Sequence, residues 1–244
     1  MSEQTQPKVA MVVMAHPDDA EFGCAGTVAL WARDGWDVYY VVCTDAASGG
    51  PDDADDVSIG ARKKITETRK AEQREALAIL GGKEIAFLDY HDGQLMPTLE
   101  LRRDLVRLYR THRPTRLICQ SPERAWKPTM YIARYHPDHL AAAQAAIAAM
   151  YPASQNPWDF PELLAEGLQP HKIKELYIMG APEINHAIDI SATLDTKLEA
   201  LRAHHSQVGD RWSELEMRLR ETARNLGEVH GFPAAELFHF TENP

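Results

Sequence analysis

Cysteine is scarce in this 244-residue chain: Cys24, Cys43 and Cys119 are far apart and odd in number. No Cys-x-x-Cys pair occurs, which excludes a thiolate zinc knot, and each cysteine lies in an apolar context as a small buried hydrophobe. Such usage suits a reducing compartment, so a cytoplasmic protein is expected. No apolar run approaches the roughly 20 residues that span a bilayer. Residues Met1–Pro7 are polar and lack the apolar segment of a secretion signal. Basic clusters are missing too. With 26 Lys and Arg against 36 Asp and Glu, the formal net charge is −10. That argues against nucleic acid or an anionic membrane surface as main partner, and makes a highly anionic substrate less natural. Internal repeats of solenoid length and low-complexity segments are absent.

What is present fits one α/β domain spanning 1–244, long enough to bury a core without staples. Strand-like and helix-like runs alternate, which predicts a Rossmann-like three-layer domain: a mostly parallel sheet flanked by helices. The apolar run from Val9 reads as a buried strand, followed by a helix through Ala32. Further strands are expected at Asp37–Cys43, Glu84–Leu88, Arg116–Gln120, Lys174–Met179 and Ala187–Ile190. Helices are expected at Arg62–Leu80, Thr98–His112, Leu140–Met150 and from Ser191. The acidic loop Pro51–Gly60 reads as a solvated rim. Residues 151–170, rich in Pro and Trp, read as a lid or insertion. Residues 210–231 read as a C-terminal helix, with Trp212, Leu215, Leu219 and Leu226 docking on the domain or on a neighbouring subunit. A homo-oligomer therefore enters the expectations.

Chemistry concentrates where the first strand stops, at His16-Pro17-Asp18-Asp19. Proline suits the first helical position, because its fixed φ fits and its missing N–H would be unpaired anyway. In open α/β sheets, ligands bind at the carboxyl ends of strands, and a helix N-terminus favours ionised carboxylates. One reading makes Asp18 and Asp19 helix caps and His16 a satisfied polar residue. The other makes one acid a metal ligand and its neighbour the base that takes a proton from metal-activated water. A second His-Pro-Asp, His136-Pro137-Asp138-His139, opens another helix-like segment and supplies further imidazoles, which favours the metal reading. Spacing does not say which of Asp18 and Asp19 is the ligand.

From about Val9 to about Gln207, these motifs resemble the LmbE-like, or PIG-L-type, zinc-dependent de-N-acetylases. The resemblance implies Zn²⁺ held by His16, Asp19 and His139, with Fe²⁺ or Co²⁺ as substitutes in a similar donor set. It implies Asp18 as general base and His136, charged or hydrogen-bonded at the helix start, as oxyanion stabiliser and proton donor. Asp138 is a candidate outer partner for a ligand imidazole. Arg69, in Arg69-Lys70-Ala71-Glu72, and Asp92, in Asp92-Gly93, correspond to substrate-binding positions; on residue type alone Arg69 and Glu72 form a surface pair and Asp92-Gly93 a turn. Tyr135 and Arg134 are counterparts of a carbonyl-positioning residue. His204-His205-Ser206-Gln207 resembles in part the family's C-terminal signature, with His204 approaching the metal-bound ligand and His205 a polar helix end; His91 departs from the pattern. The implied function is hydrolysis of the N-acyl, by default N-acetyl, amide of a small amino sugar or glycoconjugate. A thiol-conjugate amidase and a natural-product tailoring deacylase share the same core. A different class of protein, a non-catalytic nucleotide- or sugar-binding module using Gly23 and Gly26, lacks the first glycine of a dinucleotide fingerprint.

Overall fold

The computed structural model describes residues 8–127, 130, 132 and 135–244. Strand β1 (Val9–Met14) is buried along its whole length, as its unbroken apolar run requires of a central parallel strand. After it come α1 (Asp19–Gly23), α2 (Ala25–Arg33), β2 (Asp37–Thr44), α3 (Ile59–Leu80), β3 (Glu84–Tyr90), α4 (Leu99–His112), β4 (Arg116–Gln120) and α5 (Pro137–Ala148). The chain continues through α6 (Pro161–Ala165), β5 (Glu175–Met179), β6 (His186–Asp189), α7 (Leu194–Arg202), α8 (His205–Val208), α9 (Trp212–His230) and β7 (Ala235–Glu242). The sheet runs β3-β2-β1-β4-β5-β7-β6, with the first five strands parallel and β7 antiparallel to both β5 and β6. This is the expected mostly parallel α/β sheet, completed by a last strand that the helix-dominated reading of the C-terminal tail passed over. One core packs Leu101, Leu105 and Tyr109 of α4 and the alanines of α5 on one face of the sheet. The other packs Val28 and Trp31 of α2, Ala76 and Leu77 of α3, and Ala200 of α7 on the opposite face.

Three local expectations change. Pro17 does not open the first helix; it precedes Asp18, which is the N-cap in a left-handed conformation (φ 82°, ψ −23°) without a side-chain cap bond. The helix through Ala32 is two helices, broken at Cys24. The break is stabilised from the far end of the chain. Glu236 of β7 accepts the N–H groups of Gly26 (2.9 Å) and Thr27 (2.8 Å), and Lys197 joins Glu236 (2.6 Å) to the Phe22 carbonyl (2.9 Å). A side chain at Gly23 would strike Met179, and one at Gly26 would strike Ile190. Close packing therefore accounts for both glycines, and the phosphate-cradle reading loses its support.

The segment 151–170 is not a lid. Arg110 donates to the carbonyls of Ala153 (2.9 Å), Ser154 (3.2 Å), Asn156 (2.9 Å) and Asp159 (3.0 Å), and Leu163 is buried in the α4–α5 core. The segment follows the C-terminus of α5 and leads to His171, which bonds the Pro114 carbonyl ahead of β4. It thus lies at the amino ends of the strands, away from the histidine motifs. Helix α9 packs on its own chain, with Trp212, Leu219 and Ala223 against Ile190, Leu194 and Leu198.

Candidate metal centre

The two histidine motifs meet at the carboxyl ends of β1 and β4. The turn after β1 is tied down by its neighbours: Ala15 N–H donates to Gln120 Oε1 (3.0 Å), and its carbonyl accepts Thr44 N–H (3.0 Å). His136 is the N-cap of α5, its Nδ1 accepting Asp138 N–H (3.2 Å), so His139 falls in the first turn as expected. The structure brings His16, Asp19 and His139 together. His16 Nδ1 lies 3.3 Å from His139 Nε2 and 3.6 Å from Asp19 Oδ2; His139 Nε2 lies 3.0 Å from Asp19 Oδ1. A tetrahedron with metal–ligand bonds of about 2.0–2.1 Å has edges of about 3.3 Å, close to the His16 Nδ1–His139 Nε2 and His139 Nε2–Asp19 Oδ1 separations, while Asp19 Oδ2 accepts the His16 backbone N–H (2.8 Å). Two imidazole nitrogens and a carboxylate are also the donor set of an open, catalytic divalent site.

The other ring nitrogen of His16 faces acids. Nε2 is 3.0 Å from Asp92 Oδ1 and 3.2 Å from Asp138 Oδ2. Asp138 also accepts Gly93 N–H (2.7 Å) and Leu95 N–H (3.2 Å), and Asp92 Oδ2 accepts Ser48 N–H (2.9 Å). Among the described residues, His16, Asp92 and Asp138 satisfy the spacing of a metal cluster, as do His16, His136 and His139. The hydrogen bonds distinguish them from the first set. Asp92 and Asp138 are held by backbone donors and accept Nε2–H of His16, which fixes the orientation of the ring and turns Nδ1, whose proton a bound cation would displace, toward Asp19 and His139. Asp138 thus lies behind the His16 ring, on the side away from Asp19 and His139. Asp92, expected at the substrate, has both oxygens engaged, by His16 and by Ser48 N–H, and only 6% of the residue is exposed. Replacing Asp138 by Asn is expected to weaken divalent-metal affinity about 10–100-fold in a chelator competition, the usual cost of losing such a partner.

Charge is concentrated here. Burial works against a charged His16, yet its hydrogen bonds to Asp138, Asp19 and Asp92 push the imidazole up to about 11. Burial likewise opposes ionisation of Asp19, but His139 and His16 hold its carboxyl well below the usual carboxylate range. Asp18 goes the other way: burial, then the neighbouring Asp19 charge, raise it to about 7. Two adjacent carboxyl groups are driven apart by their surroundings, one fixed as an anion and one able to exchange a proton near neutrality. Burial and the charge of His16 lower the affinity of His136 for a proton. Its Nδ1 already accepts a backbone N–H, so its acidic hydrogen sits on Nε2 and the ring is neutral, not charged.

Helix α3 holds Asp18. Arg69 and Gln73 are buried one turn apart. Arg69 donates to the Pro17 carbonyl (2.9 Å) and to Asp18 Oδ2 (3.4 Å), while Gln73 Oε1 accepts Asp18 N–H (3.0 Å). Arg69 and Glu72 are not a surface pair: Glu72 accepts the Ser206 N–H (2.7 Å) and hydroxyl (2.6 Å), docking the C-terminal signature on α3. His204 is fully buried, its Nε2 3.2 Å from Glu21 Oε2; it meets the interior network, not the metal set. His205 is exposed. His91 is also exposed, 3.5 Å from Asp45. The Tyr135 hydroxyl accepts Ala125 N–H (2.7 Å) and closes its loop; Arg134 lies outside the described residues. Gln73 was not singled out by sequence, Glu72 was read only as a surface partner of Arg69, and Glu21 was given no role. Their only signal was the relation of Glu21 and Glu72 to the two motifs.

Residues 11–150, more than half of the chain and both histidine motifs, match the family described as GlcNAc-PI de-N-acetylase, PIG-L. The chain belongs to this family. A diacetylchitobiose deacetylase of Thermococcus kodakarensis is 33% identical over 234 residues, covering 96% of this chain and 83% of that protein. A 1D-myo-inositol 2-acetamido-2-deoxy-alpha-D-glucopyranoside deacetylase of Rhodococcus jostii is 27% identical and covers 81% of each. Among solved structures, the N,N'-diacetylchitobiose deacetylase of Pyrococcus horikoshii superposes with a TM-score of 0.84 at 29% identity, covering 97% of this chain and 84% of that one. A 4-carboxy-2-hydroxymuconate hydratase from a Pseudomonas shares the fold at 20% identity with a TM-score of 0.75. PIG-L architecture therefore carries more than one chemistry, and function rests on the site. Among the described residues no helix is long and apolar enough to cross a membrane.

Proposed function

We propose that the protein is a zinc-dependent hydrolase that removes the N-acetyl group of a small amino sugar or glycoconjugate. The observation that carries this reading is the pairing of a three-donor metal set with a second, proton-exchanging carboxylate, Asp18, in the same turn. His16 Nδ1, Asp19 and His139 Nε2 would hold the ion, and their mutual spacings fit it. When bound, such a cation supplies a Lewis acid that acidifies water and polarises an amide carbonyl.

The chain's own groups do the rest. Asp18 accepts a proton from the attacking water as oxygen bonds to the acyl carbon. His136, neutral with hydrogen on Nε2, donates a hydrogen bond to the oxyanion that develops on the former carbonyl oxygen. Asp18, now protonated, hands its proton to the amide nitrogen as the carbon–nitrogen bond breaks, giving acetate and a primary amine. This assigns amine protonation to Asp18, because a neutral His136 has no spare proton to lose without forming an imidazolate. Arg69 holds the base through the Pro17 carbonyl and Asp18 Oδ2.

His136→Ala is expected to retain stoichiometric zinc and to lower kcat about 10²–10³-fold, the range for loss of one oxyanion donor. Metal analysis beside steady-state kinetics checks it; unchanged turnover removes His136 from the reaction. The substrate class is tested by offering zinc-loaded protein N-acetylglucosamine, N,N'-diacetylchitobiose, N-acetylglucosaminyl conjugates and, beside these sugars, non-sugar N-acyl thiol conjugates, and measuring released primary amine. Release from at least one, abolished by a chelator and restored by zinc, supports the reading; release only from non-sugar thiol conjugates would favour the amidase alternative.

A further inference from the structure

Behind the base runs a buried polar chain that the reaction as described does not use. Asp18 sits in the left-handed region, where a residue other than glycine persists only if its surroundings hold it. The two polar ends of the Pro17–Asp18 peptide group are both gripped from α3. Arg69 donates to its carbonyl and Gln73 Oε1 accepts its N–H. The orientation of the Gln73 amide is itself set, since Nε2 donates to Glu21 Oε1 (3.1 Å) and the other oxygen of Glu21 faces His204 Nε2 (3.2 Å). Gln73, Glu21 and His204 are each fully buried, so no solvent competes for these bonds.

We infer that Gln73 is a positioning residue for the general base: it fixes the Pro17–Asp18 peptide plane, and Glu21 with His204 fixes the amide of Gln73. The inference rests on Asp18 being the base. Donor polarity is what makes it specific. Asp18 N–H only donates, so the atom facing it must accept; the Glu21 carboxylate only accepts, so the atom facing it must donate. An amide at position 73 meets both demands at once.

The test uses the zinc-loaded full chain. Gln73→Met keeps the length and apolar bulk and removes both bonds. Its kcat is expected to fall roughly 10–100-fold, as for a misplaced catalytic group, with KM and zinc stoichiometry unchanged. Gln73→Glu sets two carboxylates face to face and is expected to fall at least as far. Adding Glu21→Gln to Gln73→Glu restores one acceptor and one donor in reversed order, and kcat is expected to return to within about threefold of the parent, a coupling of the size seen between contacting residues. Parental kcat in Gln73→Met overturns the inference. A double variant no better than Gln73→Glu overturns the polarity argument, and it decides the matter if Gln73→Met does not fold. If Asp18→Asn itself keeps parental turnover, the assignment of the base has failed, not the positioning of it.

Discussion

Asp18→Asn is expected to leave zinc bound and to cut kcat by roughly 10²–10⁴-fold, the contribution of a general base. Asparagine is well suited to the experiment. It tolerates the left-handed conformation that position 18 adopts, so the turn is retained while the proton acceptor is lost. The pH profile carries the same information. Burial and the Asp19 charge raise Asp18 to about 7 in the metal-free protein. A base works only when ionised, so the parental rate climbs with pH through this group's titration. A nearby bound cation favours the carboxylate and moves that limb downward. In the variant the limb assigned to Asp18 should vanish. Stability should move the opposite way. A carboxyl whose folded-state pKa lies above its ordinary 3.8 costs the folded protein nothing below that pH and progressively more as pH rises toward about 7. Metal-free Asp18→Asn should therefore be more stable than the parent at pH 8, by at least about 1 kcal/mol, in a denaturant titration. A variant that loses zinc, and whose turnover recovers when zinc is raised to restore occupancy, would show that Asp18 and Asp19 have exchanged roles.

His139→Ala should have the largest effect on the metal. It removes one of three protein donors, and His16 and Asp19 alone are a poor match to a four-coordinate ion. Zinc affinity is expected to fall by more than about 100-fold, beyond the 10–100-fold typical of an outer partner such as Asp138. Equilibrium dialysis with metal analysis reads this directly. Activity should fall with occupancy and recover partly at high zinc. An affinity within a few-fold of the parent would place the ion elsewhere. His139 sits in the first turn of α5, partly exposed, so the substitution leaves the core intact.

The sites of chemistry were legible because backbone punctuation marks them. A β-branched run halting at His-Pro-Asp-Asp announces a strand end, and His136-Pro137 announces a helix start; both stand where proline and acid residues place them. The assignment of Asp19 as ligand came from resemblance; in the structure an Asp19 oxygen faces His139, and an Asp18 oxygen faces Arg69. The contact of Asp92 with His16 was not legible, because Asp-Gly signals a turn and says nothing about which imidazole lies behind it. The clamp residues were invisible for a different reason. Helix α3 is polar for most of its length, so Arg69, Glu72 and Gln73 read as solvent-facing, yet all three are buried. Their partners lie in the first turn of the chain and beyond residue 200, a separation that no local pattern encodes. The break at Cys24 is equally non-local, since Glu236 and Lys197 hold it open. Strand β7 did carry a signal, alternating Phe238 and Phe240 with His239 and Thr241, which a period-two scan would have caught.

Crystals of the zinc-loaded protein, with anomalous differences collected on either side of the zinc edge, test the central claim most directly. One peak is expected about 2.0–2.1 Å from His16 Nδ1, His139 Nε2 and an oxygen of Asp19. A peak on the opposite side of the same imidazole, at Nε2 between Asp92 and Asp138, would contradict it.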